Sequence, residues 1–290
     1  MNLPLPFAAR LVLTGASLAA LLLAAPLPAS AHRIEKHFIV EGQPVVNVRS
    51  SHGRIEIRSW KKPEVVVIGT HTSNKVEVDT EQAGNRIEIV TRVLDEYLLP
   101  ADMRADYTIT VPEETQLQIN TDAGLVIVER VFGDMTFGTV DGGVQLQEVS
   151  GYLSFNTVSG PVTCRQCAGR LNLTSISGEV KLLQSQLENV RVTTTSGNIY
   201  FDGEFLRTGI YILKNYSGVI DVRFSDTDSF DLNAVSRYGR VENQAALKPD
   251  PHGQRIPRSR YSAGIGTFNG GHAKVELSSF NGTIKIRKRD

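Results

Sequence analysis

Cys164-Arg165-Gln166-Cys167 is the sharpest candidate for chemistry in this 290-residue chain. Two thiols at this spacing can exchange with a disulfide or supply half of a zinc site. Either function needs further parts. A zinc site needs a second such pair or a nearby pair of histidines, and a thioredoxin-like site needs a helix behind its cysteines. The sequence supplies neither. The six histidines are scattered (His32, His37, His52, His71, His252, His272), and no nucleophile–base pairing can be argued for them. The readings that remain are buried free thiols or a structural disulfide, since residues i and i+3 at a turn come within bridging distance.

A calcium-binding β-roll needs an aspartate in every repeat, and only Asp141-Gly142-Gly143 comes near that pattern. The stretch Asp221, Asp226, Asp228, Asp231 could hold one hard cation; a solvated loop is the expected reading. Polysaccharide-cleaving solenoids need carboxylates clustered along one face. Here the outward positions are mixed, with Asp134, Tyr152 and Arg170 on one face and Gly143, Pro161 and Glu179 on the other. Tyr152 and Tyr200 point outward and could stack on a glycan. The sequence thus predicts no catalytic residue, no cofactor and no metal.

The elements that position these residues are set by glycine. Gly124, Gly133, Gly142, Gly151, Gly160, Gly169 and Gly178 recur at every ninth position. Two and four residues after each comes an apolar side chain, as in Val126 and Val128 or Leu153 and Phe155. This is the alternation of a half-buried strand followed by a corner. Seven after come Val131, Val140, Val149, Val158, Cys167 and Ile176, which the period places in the core with Cys164. Tyr216 shares the column of Val158 and Ile176 and is expected to be buried with them.

Alternate glycines carry a stronger motif, in Thr139–Gly142, Thr157–Gly160, Ser175–Gly178 and Thr194–Gly197. The coil is therefore about 18 residues with two strands. The predicted fold is an all-β solenoid, resembling a single-stranded β-helix, with N-terminal strands that cap or continue it. The Thr/Ser column three before each of these glycines could form a hydroxyl surface for sugars or ice, or simply bond the corners. Later coils loosen at Ser217-Gly218, Tyr238-Gly239 and Asn281-Gly282, with insertions at the corners.

Residues 1–31 read as a secretory signal peptide: Arg10, an apolar run from Leu11 to Ala25, then Ala29-Ser30-Ala31. No other stretch could span a membrane. The solenoid is assigned to residues 32–290, with an irregular β part at 32–116, regular coils at 117–290 and an insertion at about 242–271. Lys plus Arg and Asp plus Glu balance at 31 each, which argues against a nucleic-acid binder. Locally basic stretches at Ile256–Arg260 and Ile286–Arg289 read as solvated loop and edge-blocking charge. Leu125 and Ile127 are apolar at outward positions, so the N-terminal segment is expected to pack over them.

Several pieces together carry a family resemblance: Val48–Trp60, the Val111-Pro112 turn, the serial Ser-Gly coils and the closing Gly270-Gly271 and Phe280–Ile284 segments. The chain resembles the bacterial "putative adhesin" domains, secreted or envelope proteins built from such coils. The resemblance covers nearly all of residues 32–290 and implies fold; it carries no agreed site residues. The functional expectation is a non-enzymatic binding or structural module that is exported to the periplasm, cell surface or medium. Its partner would be an envelope protein or glycan, recognised through the 242–271 insertion. The alternatives are a periplasmic accessory or sensor protein contacting a membrane regulator, and a polysaccharide-acting enzyme.

Overall fold

The structure is a computed structural model that describes residues 32–95, 97–249 and 262–289. The expected signal peptide, His252 and the Ile256–Arg260 stretch lie outside the described residues. Every regular element among the described residues is a strand. None of them forms a helix long and apolar enough to cross a membrane.

Six strands precede the regular coils: β1 (His32–Ile39), β2 (Val45–Trp60), β3 (Glu64–His71), β4 (Val76–Ala83), β5 (Arg86–Val93) and β6 (Ala105–Pro112). Then come β7 (Gln116–Glu129) and β8 (Met135–Gln147), each bending through a corner glycine. From there each coil uses two strands: β9 (Ser150–Thr157) with β10 (Val162–Arg165), β11 (Ala168–Ser175) with β12 (Val180–Leu183), and β13 (Gln186–Thr194) with β14 (Ile199–Asp202). The last stretch holds β15 (Ile210–Asn215), β16 (Val219–Phe224), β17 (Phe230–Ser236), β18 (Arg240–Asn243), β19 (Ser262–Phe268), β20 (Ala273–Ser279) and β21 (Thr283–Lys288).

These strands make two parallel layers around one core. Layer A contains the strand that runs into each Ser-Gly corner, and layer B the strand that leaves it. In β9 the inward residues Leu153, Phe155 and Thr157 are buried, while Tyr152 and Asn156 are exposed. In-register pairing then stacks like on like. Phe137 pairs with Phe155 and their rings stack at 4.9 Å. Each such buried side chain contributes about 2 kcal/mol by removal from water. The hydroxyl column is turned inward, so it presents no surface for sugars or ice. Thr139, Thr157, Ser175 and Thr194 are buried. Ser175 Oγ accepts from the Gly178 amide at 3.0 Å, and Thr194 Oγ1 donates to the Gly197 carbonyl at 3.0 Å.

The order of the coils departs from the sequence at both ends. Down the stack it runs β5–β6, β2, β7, β8, β9–β10, β11–β12, β13–β14, β15–β16, β20–β21, β17–β18. The first coil in sequence, β2, lies between β5–β6 and β7. The last in sequence, β20–β21, lies between β15–β16 and β17–β18. The outermost coils are closed by antiparallel strands: β4 on β5, β3 on β6 with β1 beyond it, and β19 on β17. The N-terminal strands thus both continue the solenoid and cap it.

Two expectations change with this order. The basic C-terminal residues are not an edge block, because β21 is an interior strand. There Arg287 pairs with Asp221, and Lys288 with Asp226 at 2.6 Å; just beyond the strand Arg289 pairs with Asp202 at 2.7 Å. Leu125 and Ile127 are not covered by a packed segment either. They pair edge-on with Arg54 and Glu56 of β2, and Leu125 reaches over the bare Cα of Gly143.

Candidate recognition edge

The nine-residue period hides two different corners. At the Ser-Gly corner the chain must pass the coil below at backbone distance. A Cβ on Gly160 would lie 1.8 Å from the Gly142 carbonyl oxygen, and one on Gly178 2.1 Å from that of Gly160. No side chain fits there. The opposite corner turns on Arg130, Glu148, Gln166 and Gln184, all at φ between 52° and 55°. Each donates its amide to the next coil, as in Gln166 N to Leu183 O at 2.9 Å. Cys164 and Cys167 flank Gln166 at this corner. Both are buried, and the structure joins them in a disulfide with Cα atoms 5.9 Å apart.

The two corners treat their apolar residues oppositely. Val131, Val149 and Cys167 are buried at the polar corner. Val140, Val158 and Ile176, in the same nine-residue column, are 50%, 41% and 53% exposed at the Ser-Gly corner. The physical reason is parity. Leu153, Phe155 and Thr157 all face inward, so Val158 must face out. Tyr216 belongs to this outward column and is 52% exposed, which corrects its expected place in the core.

Along the edge the outward row runs Val140, Val158, Ile176, Thr195, Tyr216, Phe280, one residue per coil. Because β20–β21 stacks directly on β15–β16, Phe280 lies against Tyr216, with rings parallel at 4.5 Å. Tyr238 meets Phe280 edge-on at 5.0 Å, and the Arg237 guanidinium lies 5.9 Å from the Phe280 ring centre. Beside these rings is a groove of about 610 Å³ lined by Thr193, Lys214, Asn215, Tyr216, Arg237 and Phe280, among others. Asn215 is buried, and neither polar atom of its amide has a partner. Next to the row is a ladder of serines. Ser159, Ser177, Ser196 and Ser217 each donate to a carbonyl of the coil below, at 3.2 to 3.4 Å.

The residues singled out from sequence lie elsewhere and apart. Tyr152 is exposed in layer A beside Arg170. Tyr200 is in layer B under the Arg223 guanidinium, 5.2 Å from its ring centre. Burial pushes the Tyr200 phenol up, and Arg223 opposes that shift. The two tyrosines face opposite sides of the solenoid and make no common site. The acidic stretch disperses: Asp221 and Asp226 take the ion pairs above, Asp228 accepts from the Phe205 amide at 3.3 Å, and Asp231 from Thr267 Oγ1 at 2.6 Å. The 242–271 insertion contributes the capping strand β19, and Lys248 pairs with Thr267 beside it. Its segment 250–261 lies outside the described residues.

Sequence reasoning missed the edge because it read the nine-residue column as a single environment. The signal was present: a Thr or Ser three before glycine shares the parity of the core, so the residue after it cannot.

The fold and edge define a two-layered parallel β-solenoid with capped ends and an apolar ridge along its Ser-Gly corner. The chain belongs to the Toastrack DUF4097 family, which it matches over residues 45–287, from the start of β2 into β21. It matches no curated protein. Similar solved structures include a "putative adhesin" from Bacteroides fragilis, at 11% identity and TM-score 0.49, covering 90% of this chain and 99% of that one. A "putative cell adhesion protein" from Clostridium sporogenes has 11% identity and TM-score 0.32, covering 89% and 100%. A "putative lipid binding protein" from Parabacteroides distasonis has 12% identity and TM-score 0.34, covering 89% and 97%.

Proposed function

We propose that this protein is an exported, non-enzymatic binding module of the cell envelope, and that the Ser-Gly edge is its recognition surface. The observation that carries the reading is the outward row from Val140 to Phe280, apolar at every step but Thr195, exposed from Val140 to Tyr216 and half-buried at Phe280. A continuous apolar ridge rimmed by polar side chains marks an interaction site. Its side chains are held by paired backbone on both sides, so the surface is preorganised and binding costs little ordering entropy. The corner insertion, expected from sequence to be the recognition element, supplies a cap in its described part, so the edge is the better candidate. The signal-like residues 1–31 and the Cys164–Cys167 bridge fit an oxidising compartment outside the cytoplasm.

The test is retention of purified protein on isolated envelopes of its native host. Wild type should be retained. A Val158→Lys, Ile176→Lys double variant should lose retention by about tenfold while keeping its β-sheet circular dichroism and thermal midpoint. Equal retention of the two proteins, or no retention of wild type, overturns the reading.

A further inference from the structure

The chemistry of the edge selects a class of ligand. We infer that it binds an uncharged, extended, β-linked polysaccharide strand laid along the solenoid axis. This rests on the edge being the recognition surface proposed above.

The outward row advances one side chain per coil, about 4.8 Å each time, so Val140 to Phe280 forms a straight ridge of roughly 24 Å. A β-1,4-linked sugar chain is close to straight and advances by about one coil per sugar. It presents apolar C–H faces bordered by hydroxyls, which matches an apolar ridge bordered by hydrogen-bonding groups.

On one side of the ridge stand Ser159, Ser177 and Ser196, and on the other the exposed Asn156, Thr174 and Thr193. Across these three coils the ridge and its borders hold no charged side chain of their own, and the one carboxylate that touches them, Asp141 of the Val140 coil, accepts from Ser159 Oγ at 2.8 Å at the far end of the strip. Anionic lipid and nucleic acid are bound through lysine and arginine. Peptide strands are captured at unpaired sheet edges, whereas the strands here are paired on both sides. A charge-free strip of aliphatic and hydroxyl groups suits a neutral polyol.

Ser177 and Ser196 donate their hydroxyl protons to carbonyls below, and Ser159 shares its own between the Val140 carbonyl and the Asp141 carboxylate, so each oxygen is left as an acceptor for a sugar hydroxyl. The Asn156 amide supplies donors on the other border. At the aromatic end, Lys214 is neutralised by Glu276 at 2.8 Å. Arg237 has no carboxylate partner among the described residues, and its fork can donate to ring hydroxyls beside Phe280. The groove there accommodates a chain end or branch.

Affinity electrophoresis tests the inference. Gels would contain hydroxyethylcellulose, galactomannan or soluble xylan, with polygalacturonate gels and phosphatidylglycerol vesicles as the competing sources. At least one neutral glycan should retard wild type. Tyr216→Ala and, separately, the exposed Ile176→Lys should weaken that retardation about tenfold each. Absence of retardation by all three neutral glycans overturns the inference. So does binding confined to polygalacturonate or to vesicles, or an edge that only joins two copies in sedimentation. If the neutral glycans fail while the lysine double variant still weakens envelope retention, the ligand class is wrong and the edge stands. If envelope retention survives the variants, the edge itself is wrong.

Discussion

The two corners of each coil reverse the chain within a few residues, yet they do so by opposite means. The Ser-Gly corner removes the side chain, so that Gly160 touches the carbonyl of Gly142 directly. The polar corner keeps its side chain and accepts a left-handed backbone at Gln166 and its equivalents. The first solution brings coils together and closes the turn with buried hydroxyls. It leaves the neighbouring apolar residue no place inside, so Val158 and Ile176 project. The second folds Val131, Val149 and Cys167 inward and turns mostly polar residues to water, Phe132 being the exception. An exposed ridge is thus a by-product of close backbone packing, available for binding without cost to the core.

This comparison can be broken most severely at the glycine column. Gly160→Ala forces the two backbones apart and should destabilise the protein by about 3 kcal/mol, read as a fall in urea midpoint, with lost amide protection in the coils on either side. A tolerated alanine would show that the column is not a close contact. At the polar corner the largest effect should come from the paired change Cys164→Ser, Cys167→Ser. The bridge closes a very short loop, so its loss should lower stability by about 2 kcal/mol on the chain-entropy account. No change in unfolding midpoint on reduction would contradict it.

Glu148→Asn probes the left-handed backbone itself. Asparagine adopts this conformation more readily, so the variant should gain about 0.5 kcal/mol; a loss would mean that the Glu148 side chain contributes through its contacts. Ile176→Lys should change stability least, by under about 0.5 kcal/mol, because nothing in the core depends on that side chain. A loss above that in chemical denaturation would mean that the ridge is structural rather than free for recognition.

Much of the architecture was legible because glycine and alternating apolar residues report directly on backbone contact and burial. Gly53, Gly124 and Gly142 gave the coil, and Leu153 with Phe155 gave the inward face. The site was less legible for two reasons. Val149 and Val158 are the same residue type nine positions apart, and only strand parity separates them. Tyr216 and Phe280 are 64 positions apart in sequence, and nothing local states that β20–β21 slips in beside β15–β16. Composition favours a corner aromatic equally well wherever its coil lies. Tyr152 and Tyr200 both lie off the core face, but alternation does not distinguish one layer from the other.

The threading of the first and last coils inside their neighbours has a consequence for how such a molecule can change length. In an open solenoid, trimming the terminus removes the last repeat and leaves the rest intact. Here the C-terminal coil is a keystone: deleting residues 273–289 would open a gap between β16 and β18 and leave the capped outer coil with nothing to rest on. The ends therefore behave as closed fittings. Units can be added or removed only in the sequential middle, between β8 and β14, where each coil meets its sequence neighbours on both sides. Duplication of one 18-residue unit there would lengthen the ridge by a single step while leaving both fittings untouched.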